Sequence, residues 1–124
     1  MTPSEIIEID AKNNGYGLTA QELEKMIIDM NSQGWRPLQD QDALFLFKPI
    51  DDKGTVEFNI LVGKESTAKT SCLKFFKLLK RIGANKAVCE YKNPELTDVF
   101  KSLGSSYSPS FGKKNDELTM KVRL

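Results

Sequence analysis

The sequence predicts a mixed α/β fold: a mixed six- to seven-stranded sheet flanked by about three helices. Three observations carry that expectation. Helical periodicities are bounded by caps and glycine stops, and two alternating strands flank a polar turn. The element order reads (β)–α–β–β–α–β–α–β–β, in which helices return the chain between strands. The 124 residues are expected to form a single domain, 1–124, and 40% apolar content is ordinary for a globular core.

In chain order, Ile6-Ile7-x-Ile9 reads as a short strand, because Ile7 and Ile9 alternate with acids, and Asn13-Asn14-Gly15-Tyr16-Gly17 reads as a turn. Thr19-x-x-Glu22 is a capping box, and Leu23, Met26, Ile27 and Met30 follow on one helical face until Gly34. Ala43–Ile50 and Thr55–Val62 flank Asp51-Asp52-Lys53-Gly54 and predict an antiparallel hairpin. Cys72, Phe75, Phe76, Leu79 and Ile82 form the buried stripe of a second helix, stopped by Gly83, with Lys74, Lys77 and Arg81 opposite. Ala87–Tyr91 is a short strand. Asn93-Pro94 starts a third helix, whose face is Leu96, Val99, Phe100 and Leu103 and whose end is Gly104. The tail reads as strand Ser105–Phe111, turn Gly112–Asp116 and strand Glu117–Leu124.

Composition removes several function classes. With 18 Lys+Arg against 17 Asp+Glu, the net charge of +1 gives no general attraction to nucleic acid or anionic membrane. The Lys74, Lys77, Lys80 and Arg81 group reads as a solvated helix face. Apolar runs such as Ala43–Phe47 are far short of the roughly 18 residues of a spanning helix. The first residues lack a basic segment followed by an apolar one, so no secretory signal is expected, and the protein is expected to be soluble and cytoplasmic. The absence of histidine excludes Ser-His-Asp and Cys-His catalysis and histidine metal sites. Cys72 and Cys89 make neither a disulfide framework nor a zinc site, and no metal is expected.

One motif, Gly63-x-x-x-x-Ala68-Lys69-Thr70, is a single residue from the phosphate-binding pattern G-x-x-x-x-G-K-[ST]. Ala68 replaces a glycine that such a loop needs. The antiparallel hairpin before it and the lack of a later strand-end Asp also argue against nucleotide hydrolysis. A solvated turn before a helix is the simpler account.

A second constellation is more informative. Asn93-x-x-Leu96-x-x-Val99-Phe100-x-x-x-Gly104, following helix and strand, resembles the N-x-x-A-x-x-L-Y-x-x-x-G-F motif of GCN5-related N-acetyltransferases (GNAT). The resemblance covers roughly residues 55–124. It implies that acetyl-CoA lies in a splay between the central parallel strands, here Thr55–Val62 and Ala87–Tyr91, with its pyrophosphate on amides at the next helix start. Carried over, Lys64, Ala68, Lys69 and Thr70 stand at the pyrophosphate loop, and Glu57 is the carboxylate available as a base. Asn93 stands where the family's Asn meets the pantetheine arm or the neighbouring backbone, and a helix cap explains it equally well.

The chain also departs from the family pattern. Thr67 and Lys69 occupy positions that are small in the loop Q/R-x-x-G-x-G/A, and Glu65 adds an opposing charge. Phe100 stands where active members often carry a Tyr that protonates the departing thiolate, and Phe has no proton to give. The expectation is therefore a non-catalytic acetyltransferase-like binding or structural module. The alternative is an active N-acetyltransferase moving an acetyl group from acetyl-CoA to an amine, which a deep cleft between Val62 and Ala87 would favour. The Asn93–Gly104 segment is also similar to certain internal virion or assembly proteins of tailed bacteriophages. That likeness implies a virion location and either a protein partner or self-association.

Overall fold

Thr2-Pro3-Ser4-Glu5 opens the chain with a helix start. The Glu5 N–H donates to Thr2 Oγ1 at 3.2 Å, and the Thr2 N–H donates to Glu5 Oε1 at 3.1 Å. This reciprocal cap launches helix α1, Pro3–Asn14, so the strand expected at Ile6–Ile9 is instead helical. The physical reason is burial. Ile6 and Ile7 are both buried, together with Asp10 and Ala11, as one helical face allows and an alternating strand does not. The computed structural model describes residues 1–14 and 19–124, so Gly15, Tyr16 and Gly17 of the expected turn lie outside the described residues.

Helix α2, Ala20–Ser32, carries the predicted box: the Glu22 N–H donates to Thr19 Oγ1 at 3.1 Å. Its apolar face is only partly buried. Leu23, Ile27 and Met30 pack against the sheet, whereas Met26 is 46% exposed. The strands are β1 (Arg36–Asp40), β2 (Ala43–Pro49), β3 (Thr55–Val62), β4 (Lys86–Tyr91), β5 (Ser110–Lys114) and β6 (Glu117–Arg123). They form one six-stranded sheet in the order β1-β2-β3-β4-β6-β5. The β3–β4 pair is parallel and the other four pairs are antiparallel.

After β3 a short 3-10 turn, Glu65–Thr67, leads into helix α3, Ala68–Arg81, and β4 is followed by α4, Glu95–Lys101. These two helices cover one face of the sheet over an aromatic core. Phe75 stacks on Phe45 with centroids 4.2 Å apart, and Phe58 meets Phe75, Phe76 and Phe100. Ile82 is 61% exposed and does not extend the stripe, since α3 ends at Arg81 and Ile82 is its C-cap, before Gly83 turns the chain at φ +100°. Helix α1 covers β2 and β3 on the opposite face through Ile6, Ile7, Leu44, Leu46 and Leu61.

The tail differs from expectation. Gly104 does not end the helical path but begins the single-turn α5, Gly104–Tyr107, where a strand was expected. Ser108, at φ 43°, then reverses the chain, and β5 and β6 are joined through Asn115 and Asp116. Among the described residues no helix is long and apolar enough to cross a membrane.

Candidate functional site

The strands β3 and β4 are in register only at Thr55↔Lys86, Val56↔Ala87 and Glu57↔Val88. Beyond these three positions they diverge. A cleft of about 390 Å³ opens there, with Asn59, Ile60 and Leu61 on one side and Cys89, Glu90 and Tyr91 on the other. Helix α2 supplies an apolar wall through Leu23, Met26, Ile27 and Met30, while Asp10, Asn93 and Glu117 add polar groups. A smaller hollow of about 60 Å³ shares Asp10, Asn93 and Leu96 with the cleft and reaches Gly63, Glu65 and Glu95.

Asp10 joins the two spaces. Although it is only 2% exposed, it accepts the Val62 N–H at 3.0 Å, so α1 sits on the C-terminal end of β3. Sequence reasoning missed it because the first segment was read as a strand. On a helical period it falls on the same face as Ile6 and Ile7, and a buried acid there was the available signal. Glu90 lies on the strand read at Ala87–Tyr91 and Glu117 at the start of the last strand, and neither was singled out for the cleft.

The expected site residues are dispersed. Glu57 faces the sheet side that carries Asn59, opposite Lys48 on β2. Burial pushes its carboxyl above the usual range, the Glu90 carboxylate adds to the rise, and Lys48 and Lys114 oppose it. Asn93 borders both spaces, and its Oδ1 also accepts the Glu95 N–H at 3.0 Å, so it caps α4. Lys64 is exposed ahead of the 3-10 turn, Lys69 and Thr70 are exposed on the first turn of α3, and Ala68 is fully buried in the main core. The structure thus brings Asn93 to the cleft, sets Glu57 one strand step from its edge, and leaves Lys64, Lys69 and Thr70 on the surface.

The loop that would hold a pyrophosphate is engaged with itself. The Thr67 N–H and hydroxyl both donate to the Lys64 carbonyl, at 3.4 and 3.2 Å, and the Ala68 N–H donates to the Glu65 carbonyl. The neighbouring hollow is lined by Asp10, Glu65 and Glu95, with no lysine or arginine lining it among the described residues, and those carboxylates repel a diphosphate. The apolar wall of the cleft suits the uncharged arm of a CoA-like molecule.

Phe100 is fully buried, edge-on to Tyr91 at 5.2 Å. The hydroxyl on that side of the core belongs to Tyr91, which shares a 2.6 Å hydrogen bond with Thr97 Oγ1. Burial raises the Tyr91 phenol above its usual range.

No family model and no curated protein sequence matches the chain. Solved structures do match. One is an acetyltransferase (GNAT family) from Bacillus anthracis, with TM-score 0.62 and 10% identity, covering 98% of this chain and 85% of that one. A Bacillus subtilis acetyltransferase in complex with CoA matches with TM-score 0.59 and 14% identity, over 83% of this chain and 86% of that one. A domain from Methanocaldococcus jannaschii matches with TM-score 0.51 and 21% identity, over 71% of this chain and 63% of that domain. The chain therefore has the mixed-sheet acetyltransferase fold.

Proposed function

We propose that this chain is an acetyltransferase-fold binding module that does not transfer acetyl groups. The observation that carries the reading is the charge at the inner end of the β3–β4 cleft. Asp10, Glu65 and Glu95 line the hollow beside Val62 and Gly63, and the Thr67 and Ala68 amides of the adjoining loop donate to the loop's own carbonyls. Buried Phe100 supports the same conclusion, because a phenyl ring cannot protonate a leaving thiolate. Titration of the chain with acetyl-CoA by calorimetry, with thermal unfolding alongside, tests it. The expected result is no heat and no rise in Tm at 1 mM ligand. A Kd near 10 μM would stabilise the fold by roughly 2.7 kcal/mol at that concentration and would overturn the reading.

An active N-acetyltransferase is the second reading, favoured by the cleft itself and by Glu57, whose raised carboxyl suits a general base. On that reading acetyl-CoA binds, and Glu57→Gln keeps binding while losing turnover. A virion or assembly role, with a protein partner or self-association, rests on the likeness of the Asn93–Gly104 segment to phage proteins. A chain that sediments as a monomer at every concentration tested removes the self-association part.

A further inference from the structure

Helix α3 concentrates positive charge. Five of the chain's 18 Lys+Arg and none of its 17 Asp+Glu fall within its 14 residues, so the net charge of +1 averages over an uneven distribution. Lys69, Lys74, Lys77, Lys80 and Arg81 are all exposed. At about 100° per residue they share roughly 140° of the helix circumference and extend about 18 Å along it, opposite the buried Cys72, Phe75, Phe76 and Leu79. Lys74 lies 3.7 Å from Asp40, and the other four make no ion pair among the described residues. Lys80 and Arg81, in the last turn, suit the helix dipole. The rest of the row does not. Lys77 stands three residues from Lys74 and Lys80 and four from Arg81, spacings at which like charges repel. Lys69 sits in the first turn, where the dipole disfavours a cation, and no acid shares that turn.

We propose that this outer face of α3 docks on the phosphate backbone of a nucleic-acid duplex without reading its sequence. The inference lies apart from the cleft and does not depend on what the cleft holds. Phosphates supply the negative charge that the helix lacks and relieve the repulsion within the row. Outside α3 the acids outnumber Lys+Arg, so the field of the molecule turns this face toward a polyanion. The chemistry of the face separates a duplex from other anionic partners. A protein interface is built around a desolvated apolar centre, and a helix lying on a membrane needs a free apolar side. Here the apolar side is spent on the core, Leu73 and Leu78 are half-buried, and Ile82 at the C-cap is the exposed apolar group. Protein–DNA interfaces are polar and strongly positive, as this face is. Both aromatic rings of the helix, Phe75 and Phe76, are buried and cannot stack on unpaired bases, which favours a duplex over a single strand. Lysine contacts to phosphate position a duplex and carry no base readout.

The test is fluorescence anisotropy of a labelled 20-base-pair DNA duplex titrated with the whole chain at pH 7 and 50 mM salt. A saturable rise is expected, with equal competition by unlabelled duplexes of unrelated sequence. With about four phosphate contacts, affinity should fall about a hundredfold between 50 and 200 mM salt. Lys77→Gln combined with Arg81→Gln should weaken binding at least roughly tenfold and reduce the salt slope by about two. Both side chains are exposed, so the thermal transition should stay in place. Lys121→Gln combined with Arg123→Gln removes the same charge from exposed positions on β6 and should leave the affinity within about twofold. No anisotropy change with 100 μM chain would overturn the proposal. So would full affinity in the α3 variant, or an equal loss in the β6 variant. Tighter binding of polyglutamate, or of vesicles containing phosphatidylserine, would overturn it in favour of an acidic protein or a membrane surface.

Discussion

Glu57 shows how one side chain can record its surroundings. Its carboxyl is raised above the unfolded value, so the native state holds the proton more tightly than the unfolded chain does. Its contribution to stability is therefore fully present below the unfolded value and is lost as pH rises through the folded one. Glu57→Gln should raise Tm slightly at pH 7, within the roughly 0.5 kcal/mol of ordinary surface substitutions, and make no difference below about pH 4. Thermal melts across that range check it. Burial similarly pushes the Cys72 thiol up to about 12 and raises Cys89 as well. Neither thiol should react with iodoacetamide at pH 8 in the native protein, and both should react in denaturant. Asp10→Ala deprives the part-buried Val62 N–H of this acceptor and should cost about 1–3 kcal/mol by urea unfolding, whereas Asp10→Asn keeps an acceptor oxygen and should cost less.

At the scale of elements, caps and alternation carried the most information. Removing the α2 cap with Thr19→Ala should destabilise the protein by about 1 kcal/mol, seen as a lower urea midpoint with unchanged slope. The same Thr-x-x-Glu pattern stands at Thr2–Glu5 with Pro3 at the first helical position, but the alternation of Ile7 and Ile9 with acids reads as a strand and hides it. The β2–β3 hairpin was legible because a continuous apolar run, buried on both faces in β2, and the alternation of β3 flank a polar turn. Strand β1 was missed because five residues containing Pro37 carry almost no strand pattern, and a proline is tolerated there because β1 lies at the sheet edge. The site was less legible than the fold. Asn93 could be read from local spacing, but Asp10, Glu90 and Glu117 come together only through the sheet order, which no single segment encodes.

At the scale of the whole molecule, the aromatic core runs along one face and joins the two halves of the sheet, β1-β2-β3 and β4-β6-β5. Phe75 touches Phe45, Phe47, Phe58 and Phe76, and the same cluster continues through Ala87, Cys89, Met120 and Val122. Phe75→Ala should cost about 3–5 kcal/mol, and far-ultraviolet and near-ultraviolet signals should be lost in one transition, since β2 and β3 carry both the aromatic core and, on their other face, the cluster under α1. The three paired positions between β3 and β4 have a mechanical meaning as well. They act as a short spine between two leaves, β1-β2-β3 and β4-β6-β5, which part from each other beyond Glu57 and Val88. Any molecule lodged between those ends becomes a wedge that stiffens the spine, so occupancy should register as slower amide exchange in both leaves at once.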